Sequence, residues 1–122
     1  MAGLDPRERA LSDIKVGDLF NVAGNHGASI TCLAIAIDGR TIHARSITHQ
    51  RDIAFDRRTG IGKEPKYGLG GTINSVEPLP PNIHRTPIGL DRRYHAGGEA
   101  KLTKEEKQAL VFIYDFYDAH PI

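Results

Sequence analysis

The sequence predicts a mainly β, α+β domain: a small five-stranded barrel followed by one or two C-terminal helices. Three observations predict it. Short apolar stretches separated by glycine-rich turns fill residues 14–78. The dipeptide Asp38-Gly39 sits between two of them, as hairpin turns do. Near the end, Thr103-Lys104-Glu105-Glu106 forms a capping box ahead of an apolar run. With 122 residues the chain supports one core and one domain. Its 39% hydrophobic and 25% charged content supplies that core, and a net charge of +1 sets it apart from disordered chains.

Residues 1–13 read as an N-terminal arm. In it Asp5 is placed to cap a short turn, with Pro6 at the first helical position and Glu8 at the third. Residues 14–78 read as the barrel. Strand one is expected over Leu19–Ala23, followed by a turn at Gly24-Asn25-His26-Gly27. Strand two runs over Ser29–Ile37, strand three over Thr41–Thr48, strand four over Asp52–Arg57 and strand five over Thr72–Glu77, ended by Pro78. With Asp38-Gly39 as a type I′ loop, Ile35 opposes Ile42 and Leu33 opposes Ala44 on the core face. The other face then carries Thr41, His43 and Arg45 beside Ala34, Ala36 and Cys32, a shallow polar surface suited to binding.

Residues 79–122 read as a connector and helices packed on the barrel within the same domain. Thr86-Pro87 starts a short helix to about Tyr94, stopped by Gly97-Gly98. An earlier start with a kink at Pro87 is the alternative, because Ile83, Leu90 and Tyr94 keep helical spacing. The last helix should run from the capping box to about Ala119. Ala109, Leu110, Phe112, Ile113, Tyr114, Phe116 and Tyr117 cover an arc of about 200°, wider than one core-facing stripe needs. The excess marks Phe112, Phe116 and Tyr117 as candidate contacts in a homodimer.

Val16-Gly17-Asp18-Leu19-Phe20, the Asp38-Gly39 hairpin, and Arg45-Ser46-Ile47-Thr48 followed by Phe55-Asp56-Arg57-Arg58-Thr59-Gly60 resemble small SH3-like barrels of uncharacterised bacterial and phage proteins. The resemblance covers residues 14–78 and rests on turn chemistry. It implies a fold and a habit of binding, and carries no catalytic residue across.

Charge narrows the partners. Seven basic residues face three acidic ones between Arg40 and Lys66, whereas the tail from Glu99 has five acids against three lysines. The middle segment supports a nucleic-acid reading through Arg45, Arg51, Arg57, Arg58 and Lys63, with Phe55 or Tyr67 to stack on bases. Against it, the pI of about 7.9 is well below the footprint expected of such domains.

Signatures of catalysis are missing. Thr59-Gly60-Ile61-Gly62-Lys63-Glu64 fails the phosphate-loop pattern, because Glu64 follows the lysine and Arg57 replaces the first glycine. Gly68-Leu69-Gly70-Gly71 fails the dinucleotide pattern at Ile73. The six histidines lack metal-motif spacing, so neither a metal nor another cofactor is expected. The one cysteine, Cys32, excludes an intrachain disulfide and points to a reducing, cytoplasmic setting. In the register above it lies by Arg45 and His43, which would favour a thiolate nucleophile; a small buried hydrophobe is the commoner role. Neither an apolar leader nor a membrane-spanning run is visible.

The resulting expectation is a non-catalytic binding or assembly module acting through a protein partner or a second copy of itself. A nucleic-acid-binding barrel is the alternative, and an enzyme using Cys32 or His43 comes third.

Overall fold

The computed structural model describes residues 5–24, 27–63, 71–98 and 101–122. Helix α1 (Pro6–Ser12) leads into strands β1 (Leu19–Gly24), β2 (Ser29–Asp38), β3 (Thr41–Ser46), β4 (Asp52–Asp56) and β5 (Gly71–Ser75). Helices α2 (Pro81–His95) and α3 (Lys104–Asp118) follow. The strands form one antiparallel sheet in the order β4-β3-β2-β1-β5, curled into a half-barrel. The five expected strands are all present. The third ends two residues early at Ser46 and the fifth at Ser75. The expected turn residues Asn25 and His26, the stacking candidate Tyr67, and Lys66, Glu64 and Gly68 to Gly70 lie outside the described residues.

The β2–β3 hairpin departs from the expected register. Asp38 pairs with Thr41, so the loop is Gly39-Arg40, and neither of these residues has positive φ. Ile37, not Ile35, opposes Ile42, and Ala34 opposes Ala44. The register shifts between Ala34 and Ala36, which leaves Ile35 as the extra residue of a β-bulge. Before the bulge Cys32 and Ala34 face the barrel interior; beyond it Ile37 does. A bulge bends its strand and increases the local twist, which a sheet curled this tightly requires.

Two apolar cores lie on opposite sides of the sheet. The inner one gathers Phe20, Val22, Cys32, Ala34, Ile42, Ala44, Ile53, Phe55 and Ile73. Phe20 and Phe55 meet edge to face at 5.7 Å, and Leu11 of α1 with Ile14 closes the barrel end. The outer core gathers Leu19 and Ile47 with Leu79, Leu90 of α2, and Leu110, Ile113 and Tyr117 of α3, with Leu33 at its margin. Apolar residues on both faces of β2 are therefore needed, and strict alternation is lost there.

The sheet edges are covered. Asp56 N–H donates to Ile61 and Lys63 N–H to Ala54, while Gly62 N–H donates to Gly71 and Ile73 N–H to Gly60. Residues 60–63 thus bridge β4 to β5. Farther along β5, Ile122 N–H donates to Asn74 and Ser75 Oγ donates to the His120 carbonyl.

Helix α2 is one continuous element, correcting the short helix expected from Pro87. It starts at Pro81, and the Pro80 carbonyl accepts from Ile83 and His84 N–H. Pro87 lies inside and cannot donate to the Ile83 carbonyl. Burial of Pro87 and Leu90 against the outer core offsets that loss. In α3 both arms of the capping box form, at 3.1 and 2.9 Å. Glu106 of that box also pairs with Arg93 at 3.0 Å, joining α3 to α2.

Gly60 is the tightest point of the bridge between the sheet edges. Its φ is +73°, and a Cβ there would meet Arg7 Nη2 at 2.7 Å and Leu11 methyls at 3.3 Å. Gly60→Ala should therefore lower unfolding stability by about 2 kcal/mol, from left-handed backbone strain and displacement of Arg7. Urea denaturation measures this, and an unchanged midpoint would show that the bridge tolerates a side chain.

Candidate functional site

Thr41, His43 and Arg45 alternate with buried Ile42 and Ala44 on β3, so they share the outer face of the sheet. Each already has a partner. The Thr41 hydroxyl accepts from Lys63 Nζ at 2.6 Å, and His43 Nε2 lies 2.9 Å from an Asp38 carboxylate oxygen. Arg45 reaches under α2, where Nε and Nη2 donate to the two carboxylate oxygens of Asp91 at 2.9 and 2.7 Å. The pair is nearly withdrawn from water, with side-chain exposures of 16% and 6%. Gln50 Nε2 completes the arrangement by donating to Asp91 Oδ1 at 2.8 Å and to the Ile47 carbonyl at 3.0 Å. Gln50 holds a φ of +53° to do so. The bonds from Arg45 and Gln50 hold the Asp91 carboxyl below the usual carboxylate range, against the opposing effect of burial.

Cys32 is on the other side of the sheet. It pairs with Ser46 instead of facing Arg45, and it is fully buried in the inner core. Burial pushes its thiol up to about 12, so the thiol stays protonated at neutral pH. His43 is outside the barrel and cannot assist it.

The basic residues divide between structural and surface roles. Arg57 Nη2 donates to the Ser12 and Ile14 carbonyls at 2.7 and 3.2 Å, tying the N-terminal arm to the end of β4. Arg57 and Arg58 line a shallow cleft of about 320 Å³ with Arg40, Ser12 and Glu8. Arg45 does not join them, being committed to Asp91, and exposed Arg51 and Lys63 do not line this cleft either.

The aromatic residues of α3 also separate. Tyr117, expected as a dimer contact, is wholly buried in the outer core, with no hydrogen-bond partner for its hydroxyl. Phe116 is half-buried and stacks between Phe112 and His120, while Phe112 remains 47% exposed.

A further concavity lies elsewhere. A groove of about 400 Å³ opens between α1, the start of β1, the segment after β5 and the first turn of α2. Ala10, Ile14, Leu19, Val76 and Leu79 make its floor. Asp13, Asp18 and Glu77 stand exposed on its rim, with His84 and Pro78. The turn carrying Asp18 is held firmly: Lys15 N–H donates to the Asp18 carboxylate, Gly17 N–H to the Ala34 carbonyl, and Ala34 N–H to the Asp18 carbonyl. Residues so far apart in sequence meet only through folding. The one local hint is that Asp13, Asp18 and Glu77 each adjoin an apolar residue at an element's end.

Among the described residues no group of three or more histidine, cysteine or acidic side chains is arranged to hold a metal ion. No helix among them is long and apolar enough to cross a membrane. Comparison of the chain with protein-family models, curated proteins and solved structures found no match.

Removing one partner of the Arg45–Asp91 pair strands the other. Asp91→Ala should lower stability by about 3 kcal/mol, as for other broken buried pairs, whereas the double change Arg45→Met with Asp91→Leu should recover most of it. Because the Asp91 pKa is depressed on folding, its contribution is present above the ordinary carboxylate value near 4 and fades as pH falls through the folded value. Urea melts from pH 7 to pH 3 should show this acid loss in the wild type and a shallower one in Asp91→Ala; parallel curves would contradict the assignment.

Proposed function

We propose that the chain is a non-catalytic protein-interaction module, a small SH3-like barrel whose groove between α1 and the first turn of α2 receives a partner peptide. The observation that carries this reading is the groove itself: an apolar floor with three exposed carboxylates around it. Strand order supports the barrel type, with a four-strand meander and a fifth strand returning beside the first. The occupant that fits is an extended segment with an apolar side chain for the floor and flanking Lys or Arg for Asp13, Asp18 and Glu77. The apolar anchor supplies affinity, and the rim charges supply orientation and partner choice. The buried, protonated Cys32 argues against thiol catalysis.

A second reading has one observation in its favour. Arg40, Arg57 and Arg58 surround one cleft, which suits a phosphate-bearing ligand such as nucleic acid. Glu8 in the same cleft and the internal bonds of Arg57 weaken it.

Selection from a random peptide display library on the purified protein tests the first reading. Enriched sequences should combine a large apolar residue with flanking Lys or Arg. Glu77→Lys with Asp13→Lys should weaken the best binder by about tenfold or more, and added salt should weaken binding to the wild type. Enrichment of acidic peptides, or binders indifferent to the rim changes, would overturn the reading. Retention on DNA at low salt that is lost in Arg57→Ala with Arg58→Ala would favour the second.

A further inference from the structure

Helix α3 presents an outward stripe that the outer core does not use. Val111 is 59% exposed at its centre, and Phe112, 47% exposed, lies about 100° round the helix at its flank. At 3.6 residues per turn, Lys104, Lys107, Gln108, Asp115 and Asp118 all lie within about 60° of the Val111 direction. All five are exposed. The cations occupy the N-terminal half of the stripe and the acids its C-terminal half. Stability of the helix itself does not explain this order. The macrodipole favours acids at the start of a helix and cations at its end, the reverse of these four residues. Ion pairing within the chain does not explain it either: none of the four has a salt bridge among the described residues.

The pattern is self-complementary. Lys104 and Asp118 each lie seven residues from Val111, and Lys107 and Asp115 each lie four. We propose that a second copy of the chain covers this face, with the two α3 helices antiparallel about a two-fold axis at Val111. Lys104 of each copy then faces Asp118 of the other, and Lys107 faces Asp115, with Val111 between the two charged ends and Phe112 at the flank. A parallel pairing would set like charges together. A two-fold contact must be self-complementary, and this stripe meets that requirement in its charges. The surface differs from one built on Tyr117, which is buried, and the inference does not depend on the peptide groove.

Charge reversal tests it. Sedimentation equilibrium at roughly 100 µM protein and low salt should give a mass approaching twice that of the chain, since a weak interface of micromolar Kd is populated there. High salt should return the mass toward that of one chain. The variant Lys104→Asp with Lys107→Asp should be monomeric alone, as should Asp115→Lys with Asp118→Lys. Each change agrees better with the helix dipole than the native residue does, so loss of association will not reflect an unfolded helix, and circular dichroism checks this. An equimolar mixture of the two variants should restore the dimer. A monomeric wild type, a reversed variant that associates like the wild type, or a mixture that stays monomeric would each overturn the proposal.

Discussion

The bidentate contact between Arg45 and Asp91 is the one on which the rest of the arrangement depends. It joins the C-terminal end of β3 to the last turns of α2 across the outer face of the sheet. With α2 held there, neighbouring Leu90 enters the outer core, and Arg93 is placed to meet Glu106 at the start of α3. The first turn of the same helix carries His84 to the groove rim. This ion pair thus ties α2 to the barrel, and the Arg93–Glu106 pair ties α3 to α2. A buried pair of this kind adds little net stability over an apolar substitute, but it tolerates few alternative alignments. Gln50 accepts a left-handed backbone, at a cost of order 1 kcal/mol, to supply a further donor to Asp91.

Much of the architecture was legible in the sequence because it depends on local chemistry. The capping box at Thr103 and the Asp5-Pro6 start of α1 were readable because each satisfies helix-end donors with residues one turn away. The start of α2 was harder: Pro81 and Pro87 both suit a first helical position, and only packing of Leu90 and Pro87 against the outer core decides between them. The hairpin register failed for a related reason. Ile30, Cys32, Leu33, Ala34, Ile35 and Ile37 are all apolar, because both faces of β2 meet a core, so alternation could not say which residues point inward. A bulge at Ile35 then lets the inward set change phase partway along the strand.

The candidate site was less legible than the fold. Arg45 was singled out as a surface cation, yet its partner lies 46 residues away on a helix whose start was misplaced. Arg57 looked like a phosphate contact and instead holds two carbonyls of the N-terminal arm. An arginine's charge is visible in a sequence, but whether it faces solvent or an internal acceptor is a tertiary fact. The groove floor is similar: Ile14, Leu19 and Leu79 read as core residues, and they are, with one surface left open where four segments fail to close over them.

The covered sheet edges restrict how anything can attach to this molecule. Many small β domains capture an extended chain by letting it hydrogen-bond as an added strand, so that backbone supplies affinity whatever the side chains are. Here residues 60–63 and Ile122 occupy main-chain groups along β5, the Ser75 hydroxyl holds the His120 carbonyl beside them, and 60–63 occupy main-chain groups along β4. Strand addition, whether by a legitimate ligand or by another copy growing toward a fibril, finds much of its template already taken. Attachment therefore falls to side-chain chemistry on grooves and helix faces, where a single substitution can change the choice of partner.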